Sequence, residues 1–544
     1  MEINHYFQKI KNLLKKELVL LWIFSVALGF ALIVFVGKNK LPLGAGDFVF
    51  FAILALLVAL YRPRWVFFLF VSLLPLENVI LASGFLPLQL RPYQFLGAEL
   101  AVAVIILYLS KRLSFKLLKP TWIDWLVFSL VPLSFLSVIN SPVKNISLKN
   151  SLVLFSFVIL YYLARNFLRN KNDFIKTAFF FVGSSLVVMF YGFWQVFADK
   201  FGARSFEVMF GRPNSTFTEP DWLGIFLCFS LAINLTLALS LSRRGGATRT
   251  GTYALIFLNI TLLILTLSRS AWISAAAVIA FYLLFNLYKK NKERIEFAPR
   301  LFLNQLAIIF AITLISVIAI HFGKLSKFDI FDRARSTATN EQKITIACEN
   351  SANIPQLIAS TDELAKFNCR HINLEEIYSY KSQGKFVTEI FRKDPNVMTR
   401  SQIYRKSFEI IREHPILGVG FGTITEALGA DERGAGLNES NIFLQVWASS
   451  GILGLIAFAI IFGYLFIYSF RRISPICPLN KIIGCPIIRN DFEKNLNIFM
   501  FLSLLALLIP NFFNAGLLMG LFWLGLATFS SIFQALAYSR RIDL

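Results

Sequence analysis

Apolar runs of about 20 residues recur along the chain, parted by short polar gaps, and a run of that length crosses a bilayer as a helix. They lie near 17–36, 46–60, 65–83, 93–110, 122–140, 149–167, 175–197, 222–241, 253–267, 270–288, 303–322, 441–469, 497–510 and 515–536. The region 253–288 reads as two spans or one long kinked element, and 497–510 is short. The pattern predicts about 12–14 transmembrane helices. One polar stretch, 323–440, interrupts it. The chain thus divides into 1–322, helices with short loops; 323–440, one large loop; and 441–544, C-terminal helices and a tail.

Composition supports the same reading. The chain is 56% hydrophobic, holds 58 Phe and is only 16% charged, which excludes an ordinary soluble protein of this length. The expected fold class is an all-α polytopic membrane protein. Charge then orients it. The polar stretch holds 16 Lys/Arg against 16 Asp/Glu, so the net charge of +22 sits on the short loops and tails. The N-terminal segment QKIKNLLKKEL (8–18) is basic and amphipathic, as for a cytosolic interface helix, and no cleavable signal peptide is evident. Alternating from there, YRPR (61–64), KRLSFKLLK (111–119), RNFLRNKNDFIK (165–176), SRRGGATRT (242–250), KKNKERIEFAPR (289–300), 471–494 and SRRIDL (539–544) fall on the cytosolic side, and all are net basic. The expected topology has both termini cytosolic. It places 323–440, 199–221 and the junction Ser268–Arg269–Ser270 together on the outer face. A connector as long as 323–440 is too long for a plain linker.

The cysteines fit this layout. Cys348 and Cys369 fall in the outer stretch, as a disulfide in an oxidising compartment or as two free thiols; Cys477 and Cys485 are expected cytosolic and reduced. No Cys/His spacing suggests zinc, and nothing implies nucleic acid.

Four polar motifs carry the candidate chemistry. In GRPNSTFTEPDWLG (211–224), Arg212, Glu219 and Asp221 precede a span, and Pro220 breaks the chain there. Asp221 reads as a helix N-cap, and a lone Glu-x-Asp is a weak cation site. In LTLSRSAW (265–272), Arg269 interrupts a long apolar run; it is either functional or snorkels to the interface. In RSQIYRKSFEIIREHPILGVGFGTI (400–424), Ile403, Ser407, Phe408 and Ile411 share one helical face, which predicts an interfacial amphipathic helix over 400–413. Pro415 stops it, and GVGFG (418–422), with Gly420 at its centre, is either a phosphate-approaching loop or a tight turn. In NESNIFLQVWASSGILGLIAF (438–458), Glu439, Ser440 and Asn441 enter a span, the last two as possible caps. Arginines converging from separate spans make an anion site, since guanidinium groups match phosphate oxygens in a bidentate way.

The set STFTEPDWLGIFL (215–227), LTLSRSAWIS (265–274), RSQIY…HPILGVGFG (400–422) and SNIFLQVWASSGILGL (440–455) resembles the O-antigen ligase/polymerase superfamily. That superfamily includes lipopolysaccharide O-antigen ligases, O-antigen polymerases and protein O-oligosaccharyltransferases. The order of the motifs and the long outer loop before the last two also match. The resemblance implies a GT-C-like helical fold and an inverting, metal-independent glycosyltransferase without cofactors in the bacterial cytoplasmic membrane. The donor would be undecaprenyl-diphosphate-linked glycan and the acceptor a glycan, lipid or protein. It puts Arg269 and Arg400 on the diphosphate, with Arg212 assisting, and Gly420 and Asn441 near the substrate. Ligases of this kind commonly carry His-Asn where this chain has Ser440–Asn441. Glu219, Glu439 or His414 would then supply the base. The rivals are a flippase or transporter of the same lipid, and a peptidoglycan-type glycan polymerase. No internal repeat of the transporter kind is evident.

Overall fold

The computed structural model describes residues 2–82, 89–198, 201–203, 205, 209, 211–241, 247–291, 294–350, 354–373, 376–393, 395–429, 437–473 and 491–538. Cys477, Cys485 and the tail 539–544 lie outside the described residues.

Every predicted run contains a helix, as lipid demands of a backbone with no water to bond. The first eleven are α1 (Glu2–Gly37), α2 (Ala45–Tyr61), α3 (Pro63–Leu73), α4 (Pro92–Leu109), α5 (Trp122–Ser137), α6 (Lys144–Phe167), α7 (Lys171–Ala198), α8 (Pro220–Leu241), α9 (Ala247–Leu265), α10 (Arg269–Asn286) and α11 (Pro299–Phe322). A hairpin of β1 (Tyr288–Asn291) and β2 (Arg294–Phe297) precedes α11. The C-terminal helices are α16 (Ile442–Ile473), α17 (Asp491–Asn511) and α18 (Gly520–Tyr538). Among the described residues, 11 helices are long and apolar enough to cross a membrane, and α2, α3 and α9 are shorter apolar helices. The protein is therefore a mostly helical, multi-pass membrane protein. The region 253–288 is two helices, parted by a turn at 266–268. Of the 11 long spans, α8 and α18 are the most enclosed and α1 and α11 the least, and the shorter α2 buries only Ala59.

One span departs from the hydropathy. The run 65–83 is helical only through Leu73, because Pro75 has no N–H to donate to Val71 O and carry the helix on. The chain beyond is irregular yet buried, and side chains satisfy it. Glu77 accepts from Gly520 N at 3.0 Å and from the Tyr93 hydroxyl, and pairs with Arg91 at 3.1 Å, tying this segment to the start of α18.

At one end of the bundle, Asp124 and Arg165 form an ion pair with neither side chain exposed. Tyr161 donates to Asp124 at 2.7 Å, and Arg165 donates to Gln534 of α18. Asp124 also accepts from Thr121 N at 2.6 Å, capping α5.

The polar stretch holds more than interfacial helices. After α12 (Ile330–Thr339) come β3 (Glu341–Cys348), β4 (Leu357–Ile358), β5 (Cys369–His371), α13 (Ile377–Ser382) and β6 (Phe386–Lys393). The strands form one sheet in the order β4-β6-β3-β5, antiparallel except for β4 beside β6. Alternation in β3 sends Ile344, Ile346 and Cys348 to a core with Ile358, Leu364 and Ile390, and Ala347 to a second one with Ile372 and Tyr380. Cys348 and Cys369 face each other across β3 and β5 and are joined as a disulfide, so of the two readings of these thiols the paired one holds. The stretch ends with α14 (Pro395–Glu413) and α15 (Thr423–Leu428).

Candidate functional site

The four motifs meet at the other end of the bundle, and polar anchors in the first of them begin the arrangement. Ser215 N donates to the Gln195 amide oxygen at 2.6 Å, Ser215 Oγ to Val188 O at 2.7 Å, and Thr216 Oγ1 to Pro75 O at 2.7 Å. Asn78 N returns a bond to Thr216 O, so the irregular segment after α3 braces the motif. Ser215 itself is left-handed, with φ 49°. Helix α8 starts at Pro220, so Asp221 lies in its first turn instead of capping a helix from Trp222, and its carboxylate is 3.8 Å from Arg212. Glu219 is half-buried at the mouth of α8, where its carbonyl accepts from Leu223 N.

Two arginines grip the second motif. Arg212 Nε donates to Thr266 O at 3.0 Å, and Arg333 Nε, from α12, donates to Leu267 O at 3.3 Å. Leu267 is left-handed, with φ 54°, a strained choice for a branched side chain. The turn delivers Arg269, half-buried, as the first residue of α10, where the positive end of the helix adds to the guanidinium charge. The first two motifs also touch directly, since a Cβ on Gly224 would come within 2.6 Å of Ala271. Gly211 packs the same way on Lys327, at the start of the polar stretch. Residues 211–224, 266–271 and 323–333 therefore share one end, as the predicted alternation requires.

The third and fourth motifs join through a turn that hydropathy did not single out, 511–516 between α17 and α18. Arg400 lies over the Phe513 ring, 5.4 Å from its centroid. The Tyr404 hydroxyl, one turn further along α14, is 3.2 Å from both Phe512 O and Ser440 O. Asn441 caps α16 by accepting from Phe443 N at 2.8 Å, and its amide donates to Phe512 O at 3.1 Å. Asn514 reaches Ser270, next to Arg269, at 3.5 Å. Ser270, the residue after Arg269, and Arg400 thus meet the same short turn from two sides.

Helix α14 buries Ile403, Ser407 and Ile411 against protein, and Ile411 sits in a small core with Val419, Leu444 and Ala448. Its predicted apolar face is therefore largely covered by α16, while Phe408 remains half exposed beside Trp447. His414 is exposed at the far end, about 21 Å of helix from Arg400. Gly420 lies beyond it, and its N–H donates to Ala448 O at 3.0 Å. Gly418, Gly420 and Gly422 all have positive φ. The glycine loop packs closely, with Gly420 set against Ser141 and Ser147. The loop wedges into a break in α16 at Gly451 (φ 66°), where Pro415 O accepts from Ile452 N and Trp447 Nε1, each at 3.0 Å. The structure thus separates His414 and Gly420 from the arginines.

Glu439 is buried just before the left-handed Ser440 (φ 47°), the residue whose carbonyl meets Tyr404. Burial pushes its carboxyl above the ordinary value, and a hydrogen bond from its own backbone amide partly opposes the shift. Chemically, the end of the bundle offers a diphosphate-sized anion several guanidinium groups. A carboxyl held toward its neutral form is a stronger proton acceptor once ionised.

Arg333, Tyr404, Phe513 and Asn514 escaped sequence reasoning. Each meets its partner through long-range packing, and only the short polar break NFFNAG (511–516) between two apolar runs hinted at a functional turn.

Among families of known proteins, the one described as O-antigen ligase matches residues 254–459. The match runs from α9 into α16 and takes in the last three motifs and the sheet unit. No curated protein matches the chain.

Proposed function

We propose that this chain, a multi-pass membrane protein carrying an O-antigen ligase domain, transfers or polymerises undecaprenyl-diphosphate-linked glycan at the outer face of the bacterial cytoplasmic membrane. The observation that supports the reading is that one turn, 511–516, carries the ring under Arg400 and touches Ser270, the residue after Arg269, while Arg212 bonds to the chain that presents Arg269.

In this reading Arg269 and Arg400 hold the donor diphosphate and Arg212 fixes the 266–268 turn. The acceptor hydroxyl oxygen attacks the anomeric carbon, and its bond forms as the bond from that carbon to the diphosphate oxygen breaks. The electron pair leaves with the diphosphate, configuration inverts, and the hydroxyl proton passes to the carboxylate of Glu439 or Glu219. The guanidinium groups favour the transition state because charge on the leaving oxygens grows there. Asn441 supports the reaction as the cap that fixes the start of α16.

Purified protein given a lipid-diphosphate-linked oligosaccharide and an acceptor should release free lipid diphosphate and a covalent glycan product. Arg269→Ala and Arg400→Ala should both lower that product about 10²–10³-fold while remaining folded. A lipid-linked peptidoglycan precursor turned over in its place points to the polymerase rival. Donor moved across a liposome bilayer with no covalent product points to the flippase. In cells, loss of all polymer on its final carrier indicates a ligase, and a single-repeat product indicates a polymerase.

A further inference from the structure

The 511–516 turn lies outside the matched family region, yet it touches both sides of the site. Phe512 O receives Asn441 and faces Tyr404, the Phe513 ring lies under Arg400, and Asn514 reaches Ser270. The turn is itself held. Gly516 N donates to Asn511 at 3.1 Å and Leu517 N to Gln445 at 3.0 Å. A Cβ on Gly516 would meet Asn511 at 2.3 Å and Trp222 at 3.1 Å, so the turn is packed against both its own helix and α8. One rigid segment therefore spans the gap between the helix that presents Arg269 and the helix that presents Arg400.

We infer that Phe513 is a positioning residue for donor binding: its ring holds the Arg400 guanidinium at the diphosphate, and the turn that carries it sets the separation of Arg400 from Arg269. This rests on the proposed function. The physical argument is that an arginine at the end of a long side chain loses rotamer freedom when it binds an anion. A ring beneath it keeps it in place beforehand and leaves its edge N–H groups facing outward. A carboxylate in the same position would hold the arginine more tightly but would compete with the phosphate.

The test compares Phe513→Trp, which keeps an aromatic face, with Phe513→Leu and Phe513→Ala, which do not. Binding of a polyprenyl diphosphate is measured apart from steady-state transfer, with thermal stability in detergent as the folding control. Phe513→Leu and Phe513→Ala should raise the Kd of the polyprenyl diphosphate and the KM for the donor about tenfold, with kcat changed much less. Phe513→Trp should stay near the parent protein, and Phe513→Leu should melt close to it. Parent-like affinity in Phe513→Leu overturns the inference, as does an equal loss in Phe513→Trp and Phe513→Leu. Should Phe513→Ala fail to fold, the Trp and Leu variants alone decide it. If Arg400→Ala leaves diphosphate affinity unchanged, the functional reading fails and the inference with it. If Arg400→Ala weakens binding and Phe513→Leu does not, only the inference fails.

Discussion

Arg165 and Arg269 are both arginines within an apolar bundle, and their surroundings are opposite. Arg165 meets a carboxylate, Asp124, and an amide, Gln534, while a tyrosine hydroxyl fills another side of that carboxylate. Its charge is balanced inside the protein. Arg269 follows a turn held by two more arginines, Arg212 and Arg333, which bond to neutral carbonyls, and Arg400 comes toward the same place over an aromatic ring. Arg212 also pairs with Asp221 at 3.8 Å, so this end sets several arginines around one turn where the other buries a single ion pair. The difference separates an arginine paired deep among helices from arginines set around a turn at the end of the bundle.

The sharpest way to break the comparison is to remove one arginine from each end. Arg165→Ala leaves the Asp124 carboxyl buried without its partner, a loss of about 3–5 kcal/mol, and should sharply reduce the yield of monodisperse protein on size exclusion. Arg269→Ala should yield folded protein and lower transfer about 10²–10³-fold, as when one donor to a developing oxyanion is lost. The two losses have similar energies but register in different measurements. A folded, active Arg165→Ala protein, or an Arg269→Ala protein lost to aggregation, would erase the distinction.

The next effect belongs to the sheet unit. Cys348 and Cys369 close a loop with a sequence separation of 21, worth about 3 kcal/mol in the chain-entropy view. Cys348→Ser should therefore open residues 341–393 to limited proteolysis while the helical bundle stays resistant. Transfer should fall only partially, because Arg333, which bonds to the 266–268 turn, lies on α12 ahead of the sheet. Arg333→Ala should lower transfer about tenfold with little change in melting temperature, as for one hydrogen bond from a charged donor. Complete loss of activity in Arg333→Ala would instead place its guanidinium on the substrate.

How much of this could be read beforehand follows from range. Apolar runs fold locally, and every one contains a helix; α3 alone stops short, just before Pro75, and hydropathy does not tell that proline from Pro132 and Pro510, which lie inside α5 and α17. The four motifs and their shared end were legible because alternating charge decides which gaps lie together. The sheet was not, although KITIAC and FVTEIF alternate as strands should. Its edges are a two-residue β4 and a three-residue β5, too short to stand out. Arg333 finds its partner 66 residues away and Tyr404 one 108 away, so no local pattern marks them. The glycine loop was ambiguous for a different reason: positive φ serves a phosphate and a packing turn equally.

The smallest effect probes Glu439 through pH. Burial holds its carboxyl above the ordinary 4.5, so the folded protein retains that proton over a range where the unfolded chain has lost it. Stability from this group is therefore fully present below 4.5 and declines as pH rises through the raised folded value. Glu439→Gln removes the slope, and its melting temperature relative to the parent should improve as pH rises across that window. Transfer runs the other way. A base must be ionised, so if Glu439 is the base the parent rate should climb over the same window while stability declines. If Glu439 is the base, Glu439→Gln loses both the climb and most of the rate. If Glu219 is, Glu439→Gln keeps a climbing rate and Glu219→Gln abolishes it. Melting curves and rates measured on the same buffers separate the two carboxylates, because the slope in stability belongs to Glu439 whichever of them takes the proton.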